Sequence, residues 1–176
     1  MKDGQQPDTA LIKDCLIESN LWQSASGLEA AIETALDAAQ CYVVECEDIR
    51  FLPECEVSLV FMDDASIRKL NDEHRGKDQA TNVLSFPIDE DADCYGPMLG
   101  DIVFAFETIE REAHELGLAF TAHLTHLCIH GFLHLLGYDH IDPIEADKME
   151  QVEVAILARL NFANPYEGTI PLNMLD

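Results

Sequence analysis

The sequence predicts an α+β domain in which helices cover a small mixed β-sheet. Three features of the 176-residue chain indicate this class. Residues 28–39 have helical periodicity, residues 55–61 alternate as a strand does, and most of the chain after residue 107 is helical in pattern. With 48% hydrophobic residues and no repeat or linker between residues 20 and 165, we expect residues 1–176 to form a single domain with loosely ordered ends.

The first half of the chain predicts a helix, a strand and a second, short helix. Apolar residues four positions apart predict the first helix, at Leu28, Ile32 and Leu36. In the segment Cys55–Phe61, every second residue is strongly apolar, which predicts a strand with one buried face. The short helix is expected from about Ala65, with Asp64 as its N-cap.

The second half of the chain predicts two strands and three helices. Strands are predicted at two short apolar runs, Val83–Phe86 and Ile102–Phe106. Helices are predicted at residues 107–116, at residues 121–136 and from Pro143 onward. Gly117 and Gly137 suit the left-handed conformation that ends the first two of these helices. Asp142 is the expected N-cap of the third.

The charge of the chain restricts the partners that it can bind. Ten Lys and Arg residues against 34 Asp and Glu residues give a formal charge of -24, which argues against broad electrostatic binding to DNA or to a membrane surface. The N-terminus lacks the positive start and apolar stretch of a secretory signal. The most apolar window, residues 116–136, contains four histidines, which a membrane-spanning helix would carry only at high cost. We therefore expect a cytoplasmic protein.

Six cysteines are scattered along the chain without a C-x-x-C pair. Free thiols are the expected state, because a chain of this length needs no disulfide to fold. A second metal site at Cys41, Cys46 and Cys55 stays open as an alternative, although this spacing matches no common zinc pattern.

A group of histidines predicts a metal site. His130 and His134 are four residues apart, so on a helix both rings lie on one face and can reach one ion. After Gly137 the chain can turn back and deliver His140 as a third ligand. Three histidines with an open fourth position are typical of a catalytic zinc site. His126 is excluded as a ligand, because it lies about 12 Å from His134 along the helix axis; a role behind the metal or toward the substrate stays open, as does a core role.

The spacing of these histidines matches the metal signature H-E-x-x-H-x-x-G-x-x-H of zinc peptidases, with one exception. Gly131 stands where the peptidase has the glutamate that acts as general base. A peptidase mechanism of the ordinary kind therefore lacks its proton acceptor. Gly131 and the apolar residues around it instead predict a tightly packed helix.

The only local cluster of positive charge lies at positions 68–77, with Arg68, Lys69, Arg75 and Lys77. A solvated surface turn is one interpretation of this cluster. The other is a phosphate site, because the planar guanidinium of Arg75 can bind two phosphate oxygens at once.

Three segments together resemble the YbeY family of bacterial metallo-endoribonucleases. They are HGFLHLLGYDH at 130–140, RGKDQATNVLSF at 75–86 and LGDI at 99–102, and the resemblance covers roughly residues 40 to 166. It implies a zincin-like α+β fold, cleavage of single-stranded RNA, and a role in maturation of the 16S ribosomal RNA 3′ end and in ribosome quality control. It places the metal ligands at His130, His134 and His140 and the functionally important arginine at Arg75.

The function expected from residues and resemblance together is zinc-dependent hydrolysis of RNA. One Zn²⁺ ion would activate water and polarise the phosphodiester, and Arg75 would stabilise the developing charge. Three roles stay open for Asp139, which could orient a ligand, accept a proton or stabilise the turn. Ribosomal RNA and basic ribosomal proteins are the expected partners. A ribosome assembly factor with a structural zinc is the leading alternative, and a peptidase is a third.

Overall fold

Nine regular elements form the part of the chain that the computed structural model describes, residues 10–167. They are β1 (Ile12–Ile17), α1 (Leu28–Cys46), β2 (Glu56–Met62), α2 (Asp64–Arg75), β3 (Val83–Pro87), β4 (Met98–Ala105), α3 (Phe106–Leu116), α4 (Phe120–Leu135) and α5 (Pro143–Arg159). A short 3-10 helix, Asn20–Ser24, follows β1. The predicted α+β class is confirmed. The ends predicted to be loose lie before residue 20 and after residue 165. Residues 12–17 of the first end form β1, whereas residues 1–9 and 168–176 lie outside the described residues.

The four strands form one mixed sheet in the order β1-β2-β4-β3. Strands β1, β2 and β4 are parallel, and β3 runs antiparallel to β4. Leu59 of β2 pairs with Ile102 of β4, which in turn pairs with Ser85 of β3. This register places Ile102 and Ser85 side by side on the face of the sheet against which α4 packs.

Strand β1 is the element that the sequence pattern did not predict. Its residues are IKDCLI, and all except Lys13 are exposed, so the alternation that marks a half-buried strand is missing. The strand forms through its backbone, because it pairs in parallel along the whole edge of β2. Backbone bonds from Ile12 N to Cys55 O (2.8 Å) and from Glu18 N to Phe61 O (2.9 Å) close its two ends.

Helix α4 lies at the centre of the core. Twelve of its residues are buried, including Leu127, Ile129 and Phe132. It packs against β3 and β4 on one side and is surrounded by α1, α3 and α5 on the others. A helix buried on all sides is apolar all round, so the few polar side chains on α4 need specific partners. Helix α2 covers the opposite face of the sheet, where Ile67 packs on Leu84 and Val103.

Most predicted helix ends are confirmed, and one N-cap is corrected. Asp142 caps α5 by accepting bonds from Ile144 N and Glu145 N, and Gly117 and Gly137 have the expected positive φ of 66° and 83°. The N-cap of α2, however, is Asp63, whose side chain accepts from Ser66 N at 2.8 Å. Asp64 is wrong as the cap, because its carboxylate instead accepts from the backbone and hydroxyl of Thr108 on α3.

Within residues 10–167, no single helix has the length and hydropathy needed to cross a membrane. The consecutive helices α3 and α4 meet that criterion only when taken together, and they are bent by 115° at their junction.

Candidate metal centre

Helix α4 and the turn after it bring the three predicted histidines together. His130, His134 and His140 each offer a ring nitrogen, and these atoms all lie within 4.8 Å of one another. The His130 Nε2 and His134 Nε2 atoms are 3.1 Å apart. Among the described residues this is the one set of three histidine, cysteine or carboxylate side chains that can hold an ion. His126 lies outside the set, as its position on the helix predicted.

The turn at residues 136–140 places His140 opposite the helix. Gly137 takes a left-handed conformation, and a Cβ atom there would lie 2.1 Å from the carbonyl oxygen of Glu90, so a larger residue does not fit. The carboxylate of Asp139 accepts a bond from the backbone N of His140 at 2.7 Å. Of the three roles left open for Asp139, stabilising the turn is therefore the one with a contact in the structure.

Hydrogen bonds fix which ring nitrogen of each helical histidine is free. His134 Nδ1 lies 2.8 Å from the carbonyl oxygen of Tyr138, which can only accept, so Nδ1 carries the proton. His130 Nδ1 lies 2.5 Å from Glu153 Oε1 and donates to it. Both Nε2 atoms are then left with lone pairs that point into the site.

Glu153 is the functional residue that sequence reasoning missed. It is fully buried on α5, and its second oxygen, Oε2, accepts from His126 Nε2 at 3.0 Å and from the hydroxyl of Tyr166. Burial by itself raises the pKa of Glu153, but the adjacent His130 and His126 outweigh it and hold the pKa below its usual range. The carboxylate is therefore ionised and accepts from both histidines. His126, whose role was open, lies behind the metal site rather than in it.

The surroundings of His134 and His140 favour the neutral form of these two imidazoles. Burial, together with the adjacent His130 and His140, lowers the pKa of His134 to about 3. Burial also lowers the pKa of His140, again with a contribution from His130. Neutral imidazole is the form that binds a metal ion.

These residues fit a metal ion. Two ring nitrogens 3.1 Å apart, each with its opposite nitrogen already hydrogen-bonded, repel unless a proton or a metal ion lies between them. His140 Nε2 is buried and has no hydrogen-bond partner within the described chain, which leaves it available as the third ligand. Three histidine nitrogens are the protein ligands of one common type of catalytic zinc site.

A cleft of about 370 Å³ opens beside the histidines. His134 and His140 line it, together with Arg75 and Lys77 from the end of α2 and the loop that follows. Arg75 Nη2 lies 3.4 Å from the carbonyl oxygen of Ser85 on β3, which keeps the guanidinium over the cleft. The structure thus brings Arg75 to the histidine site across some 55 to 65 residues of sequence.

The four predicted basic residues do not act as one patch. Arg68 forms an exposed ion pair with Asp78 at 2.7 Å and lies outside the cleft. Lys69 is also absent from the cleft lining. Of the four, Arg75 and Lys77 line the cleft, whereas Arg68 lies in an exposed ion pair on the surface.

Gly131 packs against the sheet, as the sequence predicted. A Cβ atom at this position would lie 2.7 Å from Ile102 Cγ2 and 3.2 Å from Ser85 Oγ. The Ser85 hydroxyl also donates to the carbonyl oxygen of Gly131 at 2.9 Å. The position therefore has no room for the glutamate of a peptidase.

The other histidines and the cysteines considered in the sequence lie outside the histidine site. His123 Nε2 contacts Glu112 Oε2 at 2.7 Å in the core, and His74 packs edge-on against Phe86. All six cysteines are free thiols. The alternative metal site at Cys41, Cys46 and Cys55 is not formed in the described chain, because Cys55 is buried in the core while Cys46 is exposed beside Arg159 on the surface of α1.

An α+β domain in which three histidines converge beside a polar cleft has the architecture of a metallohydrolase. Comparison with known proteins identifies the family. The family model described as Endoribonuclease YbeY matches residues 19–161. The chain belongs to this family, whose members are hydrolases of RNA phosphodiester bonds.

Individual relatives cover nearly the whole chain. Endoribonuclease YbeY of Rhizobium etli is 54% identical over 156 residues, which span 86% of this chain and 91% of the relative. Endoribonuclease YbeY of Agrobacterium fabrum is 51% identical over 160 residues, or 89% and 95% of the two chains. The solution structure of TM1509 from Thermotoga maritima matches 91% of this chain and 98% of its own, at 25% identity and a TM-score of 0.52.

Proposed function

We propose that the chain is a zinc-dependent endoribonuclease that cleaves single-stranded RNA, with His130, His134 and His140 as the metal ligands. The observation that carries the proposal is the 3.1 Å approach of two ring nitrogens whose opposite nitrogens are already hydrogen-bonded. The substrate class follows from relatives named as endoribonucleases.

The residues in and around the cleft have separate roles in the proposed hydrolysis of RNA. His130, His134 and His140 would hold the zinc ion, which when bound would supply a Lewis acid and lower the pKa of water at the site. Arg75 binds the phosphodiester and neutralises the charge that develops on it. Its single, long bond to Ser85 leaves most of its donors free for that purpose. Asp139 holds the turn that carries His140.

The proposed biological setting is maturation of the 16S ribosomal RNA 3′ end and ribosome quality control in the cytoplasm. The net charge of -24 disfavours binding to DNA and to bare duplex RNA. Contacts with basic ribosomal proteins would then bring the protein to its RNA, while Arg75 and Lys77 bind phosphate locally in the cleft.

The proposal is tested with purified protein in zinc-loaded and EDTA-treated form and with the His130→Ala variant. Each sample is incubated with single-stranded RNA, duplex RNA and a peptide library. We expect cleavage of single-stranded RNA by the zinc-loaded protein alone. Tight zinc binding without cleavage would support an assembly factor with a structural zinc, and cleavage of peptides would support a peptidase.

The role of Arg75 is tested separately. Arg75→Ala should keep the zinc and lose turnover of RNA by about 10²- to 10³-fold, the usual effect of removing a donor that stabilises transition-state charge. Arg68→Ala is the matched control, because Arg68 belongs to the same basic segment and lies outside the cleft. Equal turnover by the two variants would remove Arg75 from the mechanism.

A further inference from the structure

Three hydrogen-bond donors converge on the buried carboxylate of Glu153. Two of them, His126 and His130, come from α4, and the third is the hydroxyl of Tyr166 in the segment after α5. An ionised carboxylate in a buried site is stable only when such donors surround it. The donors therefore act as one network, and one of its members is a proposed metal ligand.

Tyr166 is held firmly in this position. Its backbone N donates to the side chain of Asn164 at 2.8 Å, and its ring packs edge-on against His126 with centroids 5.8 Å apart. Burial and the negative charge of Glu153 both raise the pKa of Tyr166, so its hydroxyl stays protonated and donates. The residue lies beyond position 161, where the match to the family model ends.

A second contact places Tyr166 next to the metal ligands themselves. With His130, His140 and Met149 it lines a small cavity of about 10 Å³, room for about one water molecule. Tyr166 thus lies beside two of the candidate ligands, His130 and His140, and outside the lining of the cleft.

We propose that Tyr166 is a positioning residue of the metal centre, which acts through Glu153 on the orientation of the His130 ring. The hydroxyl fixes one carboxylate oxygen, and the other oxygen fixes His130 Nδ1. Removal of the hydroxyl leaves the Glu153 carboxylate freer to rotate. The His130 ring is then held less firmly in the orientation that metal binding requires. The inference rests on the proposed function only in requiring that the three histidines bind a metal ion.

The test measures zinc affinity by competition with a chromophoric chelator, without RNA. Tyr166→Phe removes only the hydroxyl and should weaken zinc binding by about tenfold, within the range found for outer partners of metal ligands. Tyr42→Phe is the matched control, because Tyr42 lies on α1 against Arg159 and away from the site. His126→Phe removes the other donor to the same oxygen and should weaken zinc binding by a similar factor.

A purely structural role is separated by urea unfolding with and without zinc. If Tyr166 positions the ligand, the stabilisation that zinc confers shrinks in Tyr166→Phe. If Tyr166 only stabilises the fold, the two forms lose stability equally and zinc affinity equals that of the wild type, which overturns the inference. A wild-type protein that fails to bind zinc would instead overturn the proposed function.

Discussion

Two of the buried histidine–carboxylate pairs on helix α4 have histidines seven residues apart and lie in different surroundings. In the first turn of α4 His123 Nε2 lies 2.7 Å from Glu112, and farther along His130 Nδ1 lies 2.5 Å from Glu153. Both histidines are almost fully buried. The pairs differ in what surrounds the second ring nitrogen. His123 Nδ1 is buried and has no hydrogen-bond partner in residues 10–167, whereas His130 Nε2 faces His134.

This difference shows what a metal centre needs beyond a well-held histidine. A carboxylate partner fixes the orientation and tautomer of a ring in either case. At the first pair the carboxylate also accepts from the side chain of Asn82, at the start of β3, so the pair joins the sheet to α3 and α4. At the second pair, two further imidazoles converge and a cleft opens to solvent. A metal site therefore needs several converging ligands and access from solvent, and a histidine–carboxylate pair alone is not sufficient.

The largest expected effect is loss of a metal ligand next to the second pair, compared with loss of the histidine of the first pair. His134→Ala removes a ligand and should weaken zinc binding by more than about 100-fold, beyond the loss typical of an outer partner. His123→Gln should bind one zinc ion as the wild type does and lose about 1 to 3 kcal/mol of unfolding free energy, because Glu112 keeps only part of its bonding. Zinc content after gel filtration and urea unfolding measure the two effects. Loss of zinc from His123→Gln would contradict the comparison.

A smaller effect is expected from the carboxylates. Glu153→Gln removes the charge that orients His130 and should weaken zinc binding by about 10- to 100-fold. Glu112→Gln is the matched control, with the same change of side chain in a similar environment, and should leave zinc affinity within about twofold while lowering stability. Chelator competition measures both affinities. If both variants bind zinc equally well, Glu153 has no role in the metal centre.

The smallest expected effect is the pH dependence of the EDTA-treated protein. In the unfolded chain His134 takes up a proton near pH 6.5, whereas in the folded protein its pKa is about 3. Unfolding therefore binds a proton between these values, and acid lowers stability by up to about 1.4 kcal/mol per pH unit below 6.5. Urea unfolding at pH 6.5 and 5.5 should show a smaller loss for His134→Asn than for the wild type. An equal loss would show that His134 is not the group responsible.

The sequence contained enough information to predict the three histidines of the candidate metal site. The spacing of His130, His134, Gly137 and His140 follows from helix geometry and from one glycine turn, both of which are local properties of the chain. Local patterns also predicted eight of the nine regular elements. Strand β1 was missed because its stability comes from backbone pairing with β2, which leaves no alternation in its side chains.

Glu153, which lies behind His130, was not predicted because it comes from a different element, α5. Glu153 lies 23 positions after His130 and is one of 34 acidic residues, so its presence alone indicates nothing. A signal was nevertheless present. Glu153 falls on the buried face of α5, formed by Met149, Val152 and Ile156. A carboxylate on such a face needs a buried partner, and four histidines on the preceding helix were available.

The close packing at Gly131 sets a limit for protein engineering. The helix lies so near the sheet that one added carbon at this position meets Ile102 at 2.7 Å. Installing a glutamate there would thus require the helix to rise from the strands or Ile102 to move. A rise of the helix would carry His130 and His134 with it, because both lie on α4. The close contact between α4 and the sheet therefore couples the residue at position 131 to the placement of two of the three histidines.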